Sequence, residues 1–409
     1  MTDTHGRRSA TPQSAGGRNE GLTARWARLA DQASPTAPAG AVGALVNRML
    51  VHTRPMFVPA VLPYVDSRRG GLILAGAKAV ERVRSLRDAD YQGPVLFDPA
   101  AYEHYAATPD APFWVPSDQL LPPTLSELLD QQLAAGASVA LTPTGYIKAG
   151  DTDALKAAAR AVKALARQDV IFVVPMDVSL VDRAFVRQVT AILADADCPI
   201  GLILGRQFDP LTQAPTRIIP NLRDLAVNVR LMPMRTDFNA IDLVAHGAFA
   251  GAIGTGGSLR HTVDPATKPR SWHPSDTSPS VLFTELLSWW RGKKIANLYG
   301  GRPSAARRCD CAVCDGQRLT RFLRRSHQNE ALAHAVAVWT PYVLDMLDQP
   351  TMRARAQYWR NLCVGSVREH DFISQHLRLV GKARLQPQDA IAQWARLPAW
   401  PVDAPARSS

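Results

Sequence analysis

The chain has 409 residues, 46% hydrophobic and 20% charged, which describes a globular protein able to bury a large core. Its formal net charge of +11 favours a polyanionic partner over a basic one. No run of about 18 apolar residues occurs, which excludes a membrane-spanning helix; the polar segment 1–21, rich in Gly, Ser and Arg, lacks the apolar core of a secretory signal and reads as the disordered tail of a cytoplasmic protein.

Residues 22–50 place apolar side chains at helical spacing (Leu22, Trp26, Leu29, then Val42, Leu45, Leu50), which predicts one or two helices on the outside of a core. Met56 to Val61 predicts a short extended segment, with Pro59 confining it to an edge or a capping hairpin. From Leu72 a rhythm begins. Short continuous apolar runs occur at Leu72–Ala75, Val95–Phe97, Val139–Leu141, Val170–Val174, Ile200–Leu204, Val229–Met232, Gly251–Ile253 and Ile295–Leu298. Continuous apolarity means burial on both faces, as in a parallel sheet. Helical stretches separate the runs, among them Leu125–Ala135, Thr152–Arg167, Asp182–Ala194 and Ala240–His246. Eight strand–helix units predict an α/β protein of the (β/α)8 TIM-barrel type over residues 22–301, with an N-terminal helical and hairpin cap. An open doubly wound sheet is the rival, but no G-x-G-x-x-G follows a first strand; Gly254-Thr255-Gly256-Gly257 reads as a tight turn.

In such a barrel chemistry sits where strands end. Those positions carry Asp98, Thr142 and Thr144, Asp177, Arg206 and Gln207, Arg235 and Asp237, and Ser258, Arg260 and His261. Carboxylates, guanidiniums and an imidazole at one mouth can hold a phosphate or a polar heterocycle and run acid–base or nucleophilic chemistry. Taken singly, Asp98 and Asp177 have a plainer use as helix N-caps, and Arg260-His261 as part of a loop ion pair.

Three of the five cysteines, Cys309, Cys311 and Cys314, form C-x-C-x-x-C, a spacing that can set three sulfurs around one tetrahedral ion. The fourth ligand is expected downstream, at His334 or alternatively His327. Thiolates plus an imidazole suit a closed, structural zinc site, and Arg307 and Arg308 beside the motif favour thiolates. Cys198 and Cys363 are isolated and the chain reads as cytosolic, which argues against a disulfide framework. A zinc-binding subdomain is therefore expected over 302–347, and further helices with a tail over 348–409. From Arg302 onward 16 Lys and Arg face 9 Asp and Glu, and this excess of seven predicts a phosphate-facing surface there.

A cysteine knuckle following eight strand–helix runs resembles the tRNA-guanine transglycosylase superfamily, whose barrel carries a C-x-C-x-x-C…H zinc site near its C-terminus. Weaker likenesses are Met56-Phe57-Val58-Pro59, the helix and strand over Leu129–Leu141, and Ile200-Gly201-Leu202 against the family's Gly-Gly-Leu strand. The likeness spans roughly residues 55–345. It implies exchange of guanine for a 7-deazaguanine base in nucleic acid: a carboxylate attacks C1′, guanine leaves, and the new base takes its place. Asp98 falls where the family has an acid–base aspartate. Other family positions differ. Thr142 or Thr144 stands where the family has a base-reading Asp, Pro175-Met176-Asp177 where it reads the base with Gln, and Gly251-Ala252-Ile253-Gly254 where it carries its nucleophilic Asp. The interval from cysteines to histidine is also shorter. Asp237 is the substitute nucleophile, Asp177 would meet the base edge, Arg235 and Arg260 a phosphate, and Arg206, Gln207 and His261 complete the substrate-binding set. A strongly basic divergent member fits the family's DNA-modifying branch as well as tRNA modification, and the family's habit implies a homodimer through the zinc lobe. Loss of the usual nucleophile supports a second expectation, a zinc-containing barrel that binds nucleic acid without catalysis.

Overall fold

The computed structural model describes residues 21–76, 78–116, 121–213, 218–270 and 275–401; the expected tail lies, but for Gly21, outside them. Eight strands run parallel: β1 (Arg48–Thr53), β2 (Leu72–Ala75), β3 (Val95–Asp98), β4 (Ala140–Leu141), β5 (Val170–Asp177), β6 (Ile200–Gly205), β7 (Leu231–Pro233) and β8 (Ala250–Gly254). They form two four-stranded parallel sheets, β3-β2-β1-β8 and β4-β5-β6-β7. At one seam Ser138 N–H donates to Val95 O (2.8 Å); at the other Phe249 N–H donates to Leu231 O (2.9 Å) and Gly254 N–H to Thr236 O (2.9 Å).

β2, β4, β6, β7 and β8 are buried throughout, and β1, β3 and β5 at all but one residue, as continuous apolar runs require. One set of alternating side chains (Leu50, Ile73, Leu96, Leu141, Ile171, Val173, Ile203, Met232, Ala250, Ala252) makes a core between the sheets. The other set packs outward against α1 (Leu22–Ala30), α2 (Ala79–Asp88), α3 (Leu125–Ala134), α4 (Thr152–Leu165), α5 (Val186–Asp195), α6 (Ile218–Asn228) and α7 (Asn239–Ala245) in a second, larger core or at its margin. Helix starts follow local chemistry. Thr124 and Glu127 form a reciprocal capping box at α3, and the Asp151 carboxylate caps α4 by accepting Ala154 N–H at 3.0 Å.

Two expectations for the strands fail. The apolar run at Leu50 belongs to β1, not to a helix: five consecutive residues, Met49 to Thr53, are buried, which no amphipathic surface helix allows. The run Ile295–Leu298 is the end of helix α8 (Gly292–Leu298), where Ile295 alone of the four is buried. Met56 to Val61 is helical rather than extended, built from two short turns with proline in the first turn of each.

Beyond the sheets come an antiparallel pair, β9 (Ser280–Phe283) and β10 (Ser288–Arg291), then α8, the cysteine knuckle, α9 (Gln328–Leu347), α10 (Met352–His376) and α11 (Asp389–Arg396). One buried cluster ties this region to the sheets. The Asp242 carboxylate on α7 accepts Arg223 Nε (3.0 Å) and Nη2 (2.6 Å) from α6 and Trp359 Nε1 (3.1 Å) from α10. His246 Nε2 lies 2.9 Å from Ala399 O, and Trp400 meets Trp26 of α1 edge-on at 4.9 Å. Removing one partner of a buried ion pair leaves an uncompensated charge. Asp242→Ala is therefore expected to lower unfolding free energy by about 3–5 kcal/mol in chemical denaturation. A loss below about 1 kcal/mol would place this cluster among weakly coupled surface pairs.

Candidate functional site

The knuckle brings its four residues together. The ligand atoms of Cys309, Cys311, Cys314 and His334 all lie within 4.8 Å of one another. His334 Nδ1 is 3.7, 3.4 and 3.4 Å from the three sulfurs in chain order. A tetrahedral ion with metal–sulfur bonds of about 2.3 Å and metal–nitrogen bonds of about 2.0–2.1 Å needs a sulfur–nitrogen edge of about 3.6 Å, so the donor set fits a metal ion. His334 sits in the first turns of α9, and its Nε2 faces Leu282 O at 2.8 Å. Donation to that carbonyl leaves Nδ1 as the ligating nitrogen. Cys314 Sγ accepts from Arg321 Nη2 at 3.6 Å, which offsets thiolate charge. His327 is outside the cluster and edges the Phe322 ring instead.

A second assembly lies at the ends of β1, β3 and β7. Asp98 is 1% exposed and accepts from Ala100 N–H (2.8 Å) and Tyr102 O–H (2.5 Å). His52, 0% exposed at the end of β1, places Nε2 3.1 Å from Asp98 Oδ2. That contact is close but poorly directed for a hydrogen bond, and both His52 nitrogens lack a hydrogen-bond partner. Arg235 donates from Nη1 to Tyr102 O (3.0 Å), from Nη2 to Glu103 Oε1 (2.6 Å) and Ser258 O (2.6 Å), and from Nε to His261 O (3.1 Å). It does so from a left-handed backbone, φ 46°, which a non-glycine residue keeps only when its surroundings hold it. Burial works against charge on Asp98, yet His52, Tyr102 and Arg235 outweigh it and hold the carboxyl below the usual carboxylate range. Burial lowers His52, against the opposing pull of Asp98.

A third assembly gathers between the ends of β6 and β7, the loop after β8, and β10. Asp237 accepts Asn239 N–H (3.1 Å), and Asp209 accepts Leu211 N–H (3.0 Å). Burial, then the nearby Asp237 charge, pushes Asp209 up to about 7; burial also raises Asp237, against the pull of Arg260. Arg260 lies over the Trp289 ring at 4.3 Å and donates from Nη2 to Ser280 Oγ at 3.0 Å, while its Nη1 is buried without a partner. Burial lowers Arg260 to about 10, although both carboxylates favour its charge. Both amide atoms of Gln207 are likewise buried and unpartnered. Burial and the two arginines bring His261 down to about 4.

The predicted residues thus divide. Asp98 shares a network with Arg235, and through a carbonyl with His261; Asp237 shares one with Arg260. Arg235 acts on Asp98 and Arg260 on Asp237, and both arginines act on His261. Asp177 stands apart: its Oδ1 accepts Ser179 N–H (2.9 Å), an N-cap, and its Oδ2 accepts Tyr146 O–H (3.3 Å), with the Arg206 charge acting on the same tyrosine. Thr142 Oγ1 accepts Val173 N–H at 2.9 Å and lies 2.8 Å from Thr144 Oγ1. Gly205 has no side chain because a Cβ there would meet the Tyr146 ring at 2.4 Å. Sequence reasoning missed four residues: His52, hidden by the misread first strand; Tyr102 and Glu103, on a short turn after Asp98; and Asp209, in the loop after β6.

No protein-family model matches the sequence, and no curated protein matches it significantly. Among solved structures the chain is similar to the carboxyl transferase domain of pyruvate carboxylase from Rhizobium etli with pyruvate and biocytin, at 11% identity and a TM-score of 0.33 over 95% of this chain and 65% of that one. A variant of that domain with pyruvate gives 11% identity and a TM-score of 0.35, over 95% of this chain and 66% of the other. The chain spans about two thirds of those domains. Likeness at that level carries no inference. Among the described residues no helix is long and apolar enough to cross a membrane.

Proposed function

We propose that the chain is a transglycosylase-like enzyme exchanging guanine for a 7-deazaguanine base in DNA or tRNA, on a (β/α)8 barrel closed by the two seams and carrying a lobe pinned by zinc. Three sulfurs and one nitrogen favour zinc over harder ions, and a set of four protein ligands leaves it a structural role. The observation that carries the reading is the Asp209–Asp237 pair beside Arg260. Glycosyl exchange needs one ionised carboxylate and one carboxylic acid, and Asp209, raised to about 7 by burial and by the Asp237 charge, can supply the acid beside Asp237. In the first step an Asp237 oxygen bonds to C1′ as the C1′–N9 bond breaks; guanine leaves with the electron pair and takes the proton from Asp209. In the second, N9 of the incoming base bonds to C1′, the carboxylate departs, and the N9 proton returns to Asp209. The target base must leave the stack to reach this pair. Asp98 is ionised and fully engaged, which suits it to holding Arg235 rather than donating a proton.

Labelled guanine incubated with enzyme and either tRNA or duplex DNA tests the reading. Asp209→Asn is expected to slow exchange by about 10²–10⁴-fold, the usual range for loss of a general acid. The same variant carries a sign-specific stability effect. A carboxyl raised in the folded state takes up protons on folding, so it weakens the fold as pH rises from about 4 toward 7. Asp209→Asn should therefore raise Tm at pH 8 and leave it unchanged near pH 4; an equal shift at both would remove the proton from Asp209. The second reading, a nucleic-acid-binding barrel without catalysis, is favoured by β8. A Cβ at Gly254 would sit 1.8 Å from Leu259 O, so no carboxylate can be carried there. Binding without incorporation would establish it.

A further inference from the structure

Outside the strand-end assemblies, the chain from Ser304 to Arg308 and the last turns of α10 enclose a groove of about 370 Å³, whose lining includes Arg307, Arg308, Arg318, Phe372 and His376. Phe372 is 50% exposed, although a lone exposed aromatic needs no explanation. This one is not alone. His376, one turn on, stacks with it at 5.9 Å and an interplanar angle of 11°, and the Arg307 guanidinium covers part of the ring at 5.1 Å. Around this platform stand Arg302, Arg308 and Arg318. Each is oriented by a backbone carbonyl: Arg302 by His376 O (3.3 Å), Arg308 by Gly316 O (3.1 Å) and Arg318 by Ala306 O (2.7 Å). None of the three pairs with a carboxylate among the described residues, whereas Arg307 pairs with Glu369 at 3.1 Å. Three guanidiniums fixed by neutral groups keep their full charge for an outside anion.

We propose that this groove is a binding site for an unpaired nucleotide of a single-stranded nucleic-acid segment, its base stacked on Phe372 and its flanking phosphates on Arg302, Arg308 and Arg318. An aromatic face beside uncompensated guanidiniums is the pairing that single strands require, because every base has a π-face and every link a phosphate. The proposal rests on the nucleic-acid part of the function given above. It does not depend on base exchange.

The test is fluorescence anisotropy with a labelled 12-nucleotide single strand and with an abasic strand of the same length, on the intact protein and its Phe372→Ala and Phe372→Trp variants. Phe372→Ala is expected to weaken binding of the normal strand about tenfold and to leave the abasic strand unchanged, with Trp restoring affinity. Equal affinity of wild type and Phe372→Ala for the normal strand overturns the site, and so does an equal loss on both strands. Should the wild-type protein bind neither strand at low salt, the site and the nucleic-acid partner fall together. The expected pattern without guanine incorporation removes the enzymatic reading and leaves this site standing.

Discussion

Replacing Cys314 with Ser is expected to release the metal and unfold the knuckle while β1–β8 remain folded. Cys314 is fully buried and its sulfur lies 3.4 Å from His334 Nδ1, so serine puts a weak oxygen ligand where the ion needs a thiolate. The small core around it, with Phe283, Ile295, Tyr299, Leu319 and Phe322, is separate from the cores of the sheets. Binding free energies for structural zinc are on the order of 10–16 kcal/mol, and in a lobe this small they amount to folding energy. Metal analysis should give one ion per wild-type chain and none for Cys314→Ser, with amide protection lost over residues 302–327. His327→Ala should retain the ion and His334→Ala should lose it. Unaltered protection in metal-free protein would mean that packing alone holds the knuckle.

Replacing Asp98 separates charge from shape. Asp98→Ala leaves the Tyr102 hydroxyl and Ala100 N–H facing a void and removes one anion from beside Arg235, though Glu103 still pairs with that arginine at 2.6 Å. The expected loss is about 3 kcal/mol of unfolding free energy, the low end for a broken buried charge network, with base exchange abolished. Asp98→Asn keeps the shape and should fold nearly as well, yet exchange at least about 100-fold more slowly if the anion is what fixes Arg235. The pH dependence has a definite sign. A carboxyl held below its ordinary value stabilises the fold above about pH 4 and ceases to as pH falls through its folded value. Wild type should therefore lose stability below about pH 4 more steeply than Asp98→Asn, in acid denaturation followed by circular dichroism. Parallel acid limbs would show that Asp98 is not ionised in the folded chain.

Seven of the eight strands were legible because a strand buried on both faces must be apolar without interruption, and Leu72, Val95, Val170 and Ile200 each open such a run. The first was not, because Met49-Leu50-Val51 follows helix-spaced Val42 and Leu45, and a short apolar run has no period of its own. With β1 went His52, whose approach to Asp98 joins residues far apart in sequence. The four ligating residues were readable because three are local and metal chemistry restricts the fourth. Asp209 was not, since its special property arises from partial burial close to Asp237, and which loop residues approach one another is decided by tertiary packing. The sequence placed Asp98 and Asp237 at strand ends, but the direction each side chain takes there depends on the loops around it.

The Trp26–Trp400 contact bears on how the chain folds as it is made. All eight parallel strands have been synthesised by residue 254, yet the Trp26 ring gains its edge-on Trp400 partner only when residue 400 clears the ribosome tunnel. Until then the Trp26 ring has only its earlier partners, Asp224 and His246 among them.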